Sequence, residues 1–149
     1  VRAIVQRVNQ ASVHVNGEIV GSIEKGLLVY LGVEAGDNQL DLDYTADKIV
    51  SLRIFEDAAG KMNLDVKQVD GKVLVISAFS LLADARKGRR PSFDRAAEPA
   101  TARQWYDELV HRLRQADIKV ETGTFKEHMN VCSDNDGPIC ILLDSRKLF

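Results

Sequence analysis

The stretch "ASVHVNGEIVGSIEKGLLVYLGV", residues 11–33, decides the fold. Ala11, Val13 and Val15 alternate with Ser12, His14 and Asn16, the period-two pattern of a half-buried strand. Asn16-Gly17 then marks a tight hairpin, because both residues tolerate the positive φ that a type I′ turn requires. Ile19–Ile23 returns. After Gly26 the run Leu27–Val33 is apolar enough to be covered on both faces. Strands this close together make a sheet the organising element.

Outward from it, Asp37 or Asn38 caps a helix whose apolar positions Leu42, Ala46, Ile49 and Val50 share one face. Leu52–Phe55 reads as a short strand and Glu56–Gly60 as a turn. Asp70-Gly71 turns the chain into the β-branched strand Val73–Ile76. A second helix starts near Pro99, a residue favoured in a first turn, with Ala102, Trp105, Leu109, Leu113 and Ala116 as its 3.6-residue stripe. Strands are predicted at Ile118–Glu121, Met129–Cys132 and Ile139–Leu143. The order implies a mixed α/β domain, its two helices packed on largely antiparallel sheets.

With 149 residues, 45% of them hydrophobic, the chain is expected to form one domain over residues 1–149. The formal net charge of −2 announces no polyanionic partner, so charge has to be inspected locally. No apolar run is long enough to span a bilayer and no secretory signal is evident, which makes the cytoplasm the expected location. Val1 stands where an initiator methionine is expected, read as an alternative start codon or a trimmed product. Cys132 and Cys140 make no disulfide framework; a hairpin through Asn135–Gly137 would set them opposite each other, read as buried, reduced thiols with a redox pair as the alternative. No H-E-x-x-H or C-x-x-C spacing occurs, so neither a metal ion nor a cofactor is expected. Trp105, Met62 and Met129 read as packing residues.

Residues 77–98, "SAFSLLADARKGRRPSFDRAAE", have no periodicity but carry the apolar anchors Phe79, Leu81, Leu82 and Phe93. Long irregular connections in compact domains are usually functional or disordered. Between positions 86 and 95, Arg86, Lys87, Arg89, Arg90 and Arg95 face the single acid Asp94. Basic residues interleaved with an aromatic can hold a phosphate backbone while the ring stacks on a base. The plain alternative is a solvated loop. On the first strand, Arg7 shares a face with Ala3 and Val5; if that face is buried, its permanent charge needs carbonyl or carboxylate partners.

"RAIVQRVNQASVHVNGEIVGSI" (2–23), "SAFSLLADARKGRRPSFDRAAEP" (77–99) and "MNVCSDNDGPICILLDS" (129–145), in this order and spacing, resemble the D-aminoacyl-tRNA deacylase family over essentially the whole chain. The resemblance implies a barrel-like sheet core with two main helices. It also implies hydrolysis of the ester between a D-amino acid, or glycine, and the 3′-terminal adenosine of tRNA. It further implies a homodimer with active sites at the subunit interface. On this likeness Gly137 and Pro138 form a cis peptide that screens chirality in the partner's site, and Arg7 orients it. Main-chain groups of Ser77, Ala78, Phe79 and Ser80 position the ester and hold the oxyanion, Phe93 meets the adenine, and Arg86, Lys87, Arg89 and Arg90 hold the tRNA backbone.

The chain departs from the family where Ala78 stands for Gln, Ser80 for Thr, and Ile139-Cys140 for Val-Thr. Main-chain donors survive such changes, and the resemblance implies that no side chain acts as nucleophile and that the 2′-OH of the terminal ribose assists hydrolysis. Two alternatives remain: a tRNA 3′-end-binding homologue without turnover, and an editor of mischarged small L-amino acids. A Ser80 nucleophile would need a histidine base, and His14, His111 and His128 have no triad-like context.

Overall fold

β1 (Arg2–Val15) is the strand on which the others assemble. The computed structural model describes residues 1–149. One edge of β1 is shared by β3 (Gly26–Gly32), against Arg2–Val8, and β2 (Glu18–Ile23), against Ala11–Val15. The other edge carries β8 (Asn130–Asp144), antiparallel, almost end to end. Parallel to β3 lies β6 (Lys72–Ser77), and parallel to β6 lies β7 (Lys119–Thr122). The main sheet is therefore mixed. β4 (Phe55–Glu56) and β5 (Met62–Leu64) make a separate small hairpin.

Parallel strands need crossovers, and the two helices supply them. α1 (Gln39–Ser51) bridges β3 to β6, and α2 (Pro99–Gln115) bridges β6 to β7. Asn38 caps α1 reciprocally: its side chain accepts from the Leu40 N–H at 2.8 Å, and its own N–H donates to Asp41 Oδ2 at 2.9 Å. Pro99 occupies the first turn of α2. Both helices cover one sheet face, where Leu42, Ile49, Leu109 and Leu113 meet Val5, Leu27 and Val29. On the opposite face Val8, Val13, Ile23, Leu28, Leu74 and Ile76 form a second cluster. That arrangement covers β3 on both sides, as its unbroken apolar run requires.

The sheet curls because β2 folds across β6 and β7. At Gly21 a Cβ would lie 2.4 Å from the Thr122 carbonyl oxygen and 3.2 Å from Leu74 Cδ1, so no side chain fits where the barrel closes. Asn16 (φ 51°) and Gly17 (φ 79°) make the expected hairpin between β1 and β2.

Several sequence expectations are corrected. Leu52–Ile54 is not strand; pairing begins at Phe55 and involves Met62–Leu64, whose three residues are too short a run for alternation to mark a strand. Met129–Cys132 and Ile139–Leu143 do not face each other across a hairpin: β8 continues through both, and β1 is the common partner. Cys132 and Cys140 therefore lie along one strand, both exposed and both free thiols. Met62 is exposed. Trp105 is only partly buried beside the core, and the core aromatic of α2 is its neighbour Tyr106, whose hydroxyl donates to the Val75 carbonyl at 2.7 Å.

Replacing Gly21 by Ala should force β2 away from β7 at a cost of about 1–3 kcal/mol, the range for overpacking. A melting temperature lower by roughly 3–10 °C is expected; an unchanged value would mean that the closure yields freely.

Candidate active site

The C-terminal ends of β3 and β6 open side by side, and open α/β sheets commonly present ligand crevices there. Leu31, the residue before the end of β3, accepts the Ala78 N–H at 2.8 Å, which steers the chain out of β6 into a single 3-10 turn, Phe79–Leu82. Gly32 permits this approach, since a Cβ there would come within 2.5 Å of Leu82 Cδ2. The turn's hydrogen bonding starts with Leu81 donating to the Ala78 carbonyl, so the N–H groups of Phe79 and Ser80 precede its first donor.

Against this turn lies a cavity of about 740 Å³. Ser77, Ala78, Phe79, Ser80 and Phe93 all line it, so the structure brings together five residues that the sequence singled out. Phe79 and Phe93 meet edge to face, ring centroids 5.0 Å apart, and both rings are exposed. They form an aromatic lip fitted to a planar ligand. The first turn of α2, through Pro99 and Ala102, makes the facing wall. His128 lines the cavity too, but no hydrogen bond joins it to either serine hydroxyl. His14 lies on β1 and His111 beside a separate polar groove along α2.

The loop after the turn is tied down at both ends. Asp84 and Ser92 exchange both main-chain hydrogen bonds, at 2.8 and 2.9 Å. Further on, Arg95 donates to the buried carboxylate of Glu34 (Nη2 to Oε1 2.6 Å), and the Arg95 carbonyl accepts the Ala35 N–H at 2.9 Å. Of the four cations expected to meet RNA, Arg86 is engaged internally: its guanidinium grips Asp84 through Nε (2.9 Å) and Nη2 (2.5 Å). That grip holds the Asp84 carboxyl well below the usual carboxylate range. Lys87, Arg89 and Arg90 are exposed and form no ion pair within the chain. Asp84, two residues outside the counted window, is what the local charge count missed.

Gly137 and Pro138 stand elsewhere. Gln6 pairs with Cys140 and Val8 with Asn135, so Asp136–Ile139 bulge out of β8 opposite the single residue Arg7. A proline is tolerated because it lies in the excursion rather than the ladder. The Gly137-Pro138 peptide bond is cis, and both residues are exposed. Neither lines the cavity of its own chain.

Arg7 is buried, as its face of β1 predicts, and does not reach solvent. Its Nη1 donates to the Ile54 carbonyl at 2.7 Å and its Nε to the Asp136 carbonyl at 3.3 Å, with Asp136 Oδ2 at 3.0 Å. Asn135, which no sequence motif distinguishes, fastens the other side. Its Nδ2 donates to the Arg7 carbonyl (2.9 Å) and to the Ile139 carbonyl (3.0 Å), clamping the two feet of the excursion. Cys140 Sγ sits 3.3 Å from Gln6 Nε2 and 3.7 Å from Asn135 Oδ1.

Comparison with known proteins identifies the family and the fold. A family model described as D-Tyr-tRNA(Tyr) deacylase matches residues 4–144. Proteins named D-aminoacyl-tRNA deacylase are 56% identical in Syntrophobacter fumaroxidans, over 148 residues, and 55% identical in Natranaerobius thermophilus, over 149 residues. Each alignment covers 99% of both chains. A solved structure described as c-Myc DNA unwinding element binding protein superposes with a TM-score of 0.91 at 35% identity, over 97% of this chain and 98% of that one. One described as a probable eukaryotic D-amino acid tRNA deacylase shares the fold, with a TM-score of 0.81 at 18% identity, over 96% and 98%. By its near full-length match in sequence and in fold, the chain belongs to the D-Tyr-tRNA(Tyr) deacylase family.

Proposed function

We propose that this protein hydrolyses the ester joining a D-amino acid or glycine to the 3′-terminal adenosine of tRNA. In this reading it acts as a homodimer in which the Gly137-Pro138 excursion of each subunit completes the cavity of the other. One observation carries the proposal: a braced main-chain excursion projects into solvent, away from the cavity of its own chain. Backbone fastened by a buried guanidinium and a doubly bonded carboxamide is made to hold a shape. An exposed loop with no task needs no such fastening.

In this reading the roles divide among the residues that line the cavity and the braced excursion. The terminal adenine stacks at the Phe93–Phe79 lip, and the ester lies along Ala78–Ser80. The N–H groups of Phe79 and Ser80 meet the oxyanion as the tetrahedral intermediate forms. Water attacks with help from the neighbouring ribose hydroxyl, so Ser80 is not the nucleophile. The partner's Gly-Pro carbonyls accept hydrogen bonds from the substrate's α-ammonium group, and its rigid backbone collides with an L side chain. Steric exclusion suits this task, since one extra methylene contact discriminates by only about 1–3 kcal/mol. Lys87, Arg89 and Arg90 hold phosphates of the acceptor end, while Arg86 chiefly shapes the loop through Asp84.

The decisive assay measures ester half-lives of D-Tyr-tRNA, Gly-tRNA and L-Ala-tRNA with micromolar protein. The D and glycyl esters should decay at least about tenfold faster than without protein, with L-Ala-tRNA spared. Unchanged half-lives throughout would leave a binder of the tRNA end, and rapid loss of L-Ala-tRNA alone would point to an editor of small L-amino acids.

Arg7→Lys tests the brace. A lysine keeps the charge but cannot fork between the Ile54 and Asp136 carbonyls. Amide exchange over residues 135–139 should quicken by about tenfold, with weaker discrimination between D and L esters. Native exchange rates would release Arg7 from its assigned role.

The basic loop has its own check. R89A/R90A should weaken tRNA binding and reduce the slope of log affinity against log salt by about 1.5, close to one unit for each phosphate no longer neutralised. Arg86→Ala should alter that slope less. Equal slopes for the double variant and the parent would take the loop out of the interface.

A further inference from the structure

Two tyrosines line the cavity, and their hydroxyls differ in one respect. Tyr106 Oη is committed to the Val75 carbonyl at 2.7 Å. Tyr30, on β3, is half-buried where it packs against the second apolar cluster, and its hydroxyl bonds to no group of the chain while keeping access to solvent. Burial raises its pKa above the ordinary phenol value, so it remains a neutral donor across the physiological range. The other long polar side chains at the cavity, including Lys126, Glu127 and His128, are exposed and can be satisfied by bulk water. The Tyr30 hydroxyl stands instead on a largely apolar stretch of the cavity wall, where a ligand oxygen can replace water as its partner.

Tyr30 is also well placed. It pairs with Ile76 on β6, two residues before Ala78, and the next residue, Leu31, is the one whose carbonyl fixes the Ala78 N–H. The Ala78 side chain offers no hydrogen-bonding group of its own. We infer that Tyr30 Oη contacts the substrate, donating a hydrogen bond to an oxygen of the ribose–ester end where it lies along Ala78–Ser80, and so fixes its position. Ligand cavities are typically apolar with a few polar groups that set orientation, and this hydroxyl fits that part. The inference deepens the deacylase reading and rests on it.

Tyr30→Phe removes only the hydroxyl and keeps the ring. The variant should melt like the parent and show kcat/KM on Gly-tRNA or D-Tyr-tRNA lowered by about three- to tenfold, the effect of one neutral hydrogen bond. A second measurement does not need turnover: binding of 3′-(D-alanylamino)-3′-deoxyadenosine, the amide stand-in for the ester. A fall in either quantity in Y30F supports the contact; a fall in kcat alone assigns it to the transition state. Parent-like values of both in Y30F would overturn it, and a loss confined to Tyr30→Leu would assign the effect to ring packing and overturn it equally. If the parent binds the amide but turns over no ester, the deacylase reading fails while the Y30F binding ratio still decides the contact. A parent that neither binds nor hydrolyses removes both.

Discussion

A guanidinium cannot shed its charge, so wherever Arg7 is buried the fold has to bring it acceptors. Those acceptors come from two places remote in sequence, the Ile54 carbonyl before β4 and Asp136 in β8. Meeting the demand fixes β8 on β1 with one residue opposite four, and the surplus becomes the Gly137-Pro138 excursion. Asn135 then closes the base of that excursion from the opposite side. The projecting peptide is thus a consequence of how a buried charge is satisfied on the neighbouring strand.

What was legible in the sequence is what local chemistry decides. Asn16-Gly17 specifies its hairpin within two residues, Asn38 caps α1 within three, and Pro99 opens α2 on its own. The errors are long-range. Asn135-Asp136-Gly137-Pro138 has the composition of a turn, and a bulge uses the same residue types; only the β1 partner distinguishes them. Trp105 and Tyr106 are adjacent on α2, and a modest rotation of the helical stripe exchanges them; the hydrogen bond from the Tyr106 hydroxyl to the Val75 carbonyl favours Tyr106. At the site, Ser77–Ser80 and Phe93 could be named in advance because they share one irregular stretch. Tyr30, Asn135 and Glu34 could not, because each gains its meaning from a partner that topology supplies.

Dependence on main-chain groups explains how the chain accommodates its own departures from the motif. Ala78 and Ser80 replace larger polar residues, yet the donor that fixes the turn is the Ala78 N–H and the acceptor is a carbonyl of β3. Neither depends on side-chain identity. Cys140 keeps a weak polar link to Gln6 and Asn135, so a sulfur can stand at that position without uncoupling the clamp. Substitutions that would be felt lie instead where geometry admits no side chain, as at Gly32, or where a charge has no exit, as at Arg7.

The outer edge of β8 follows the same logic. The strand runs for 15 residues and pairs only with β1, leaving its far edge open beside the exposed Leu142. An uncovered edge of that length invites pairing with another chain, and proteins usually interrupt or cover it. The excursion at 136–139 interrupts it. The irregularity that keeps the edge from indiscriminate pairing is also the segment that Arg7 and Asn135 brace. Straightening β8 would restore a regular ladder and remove that block.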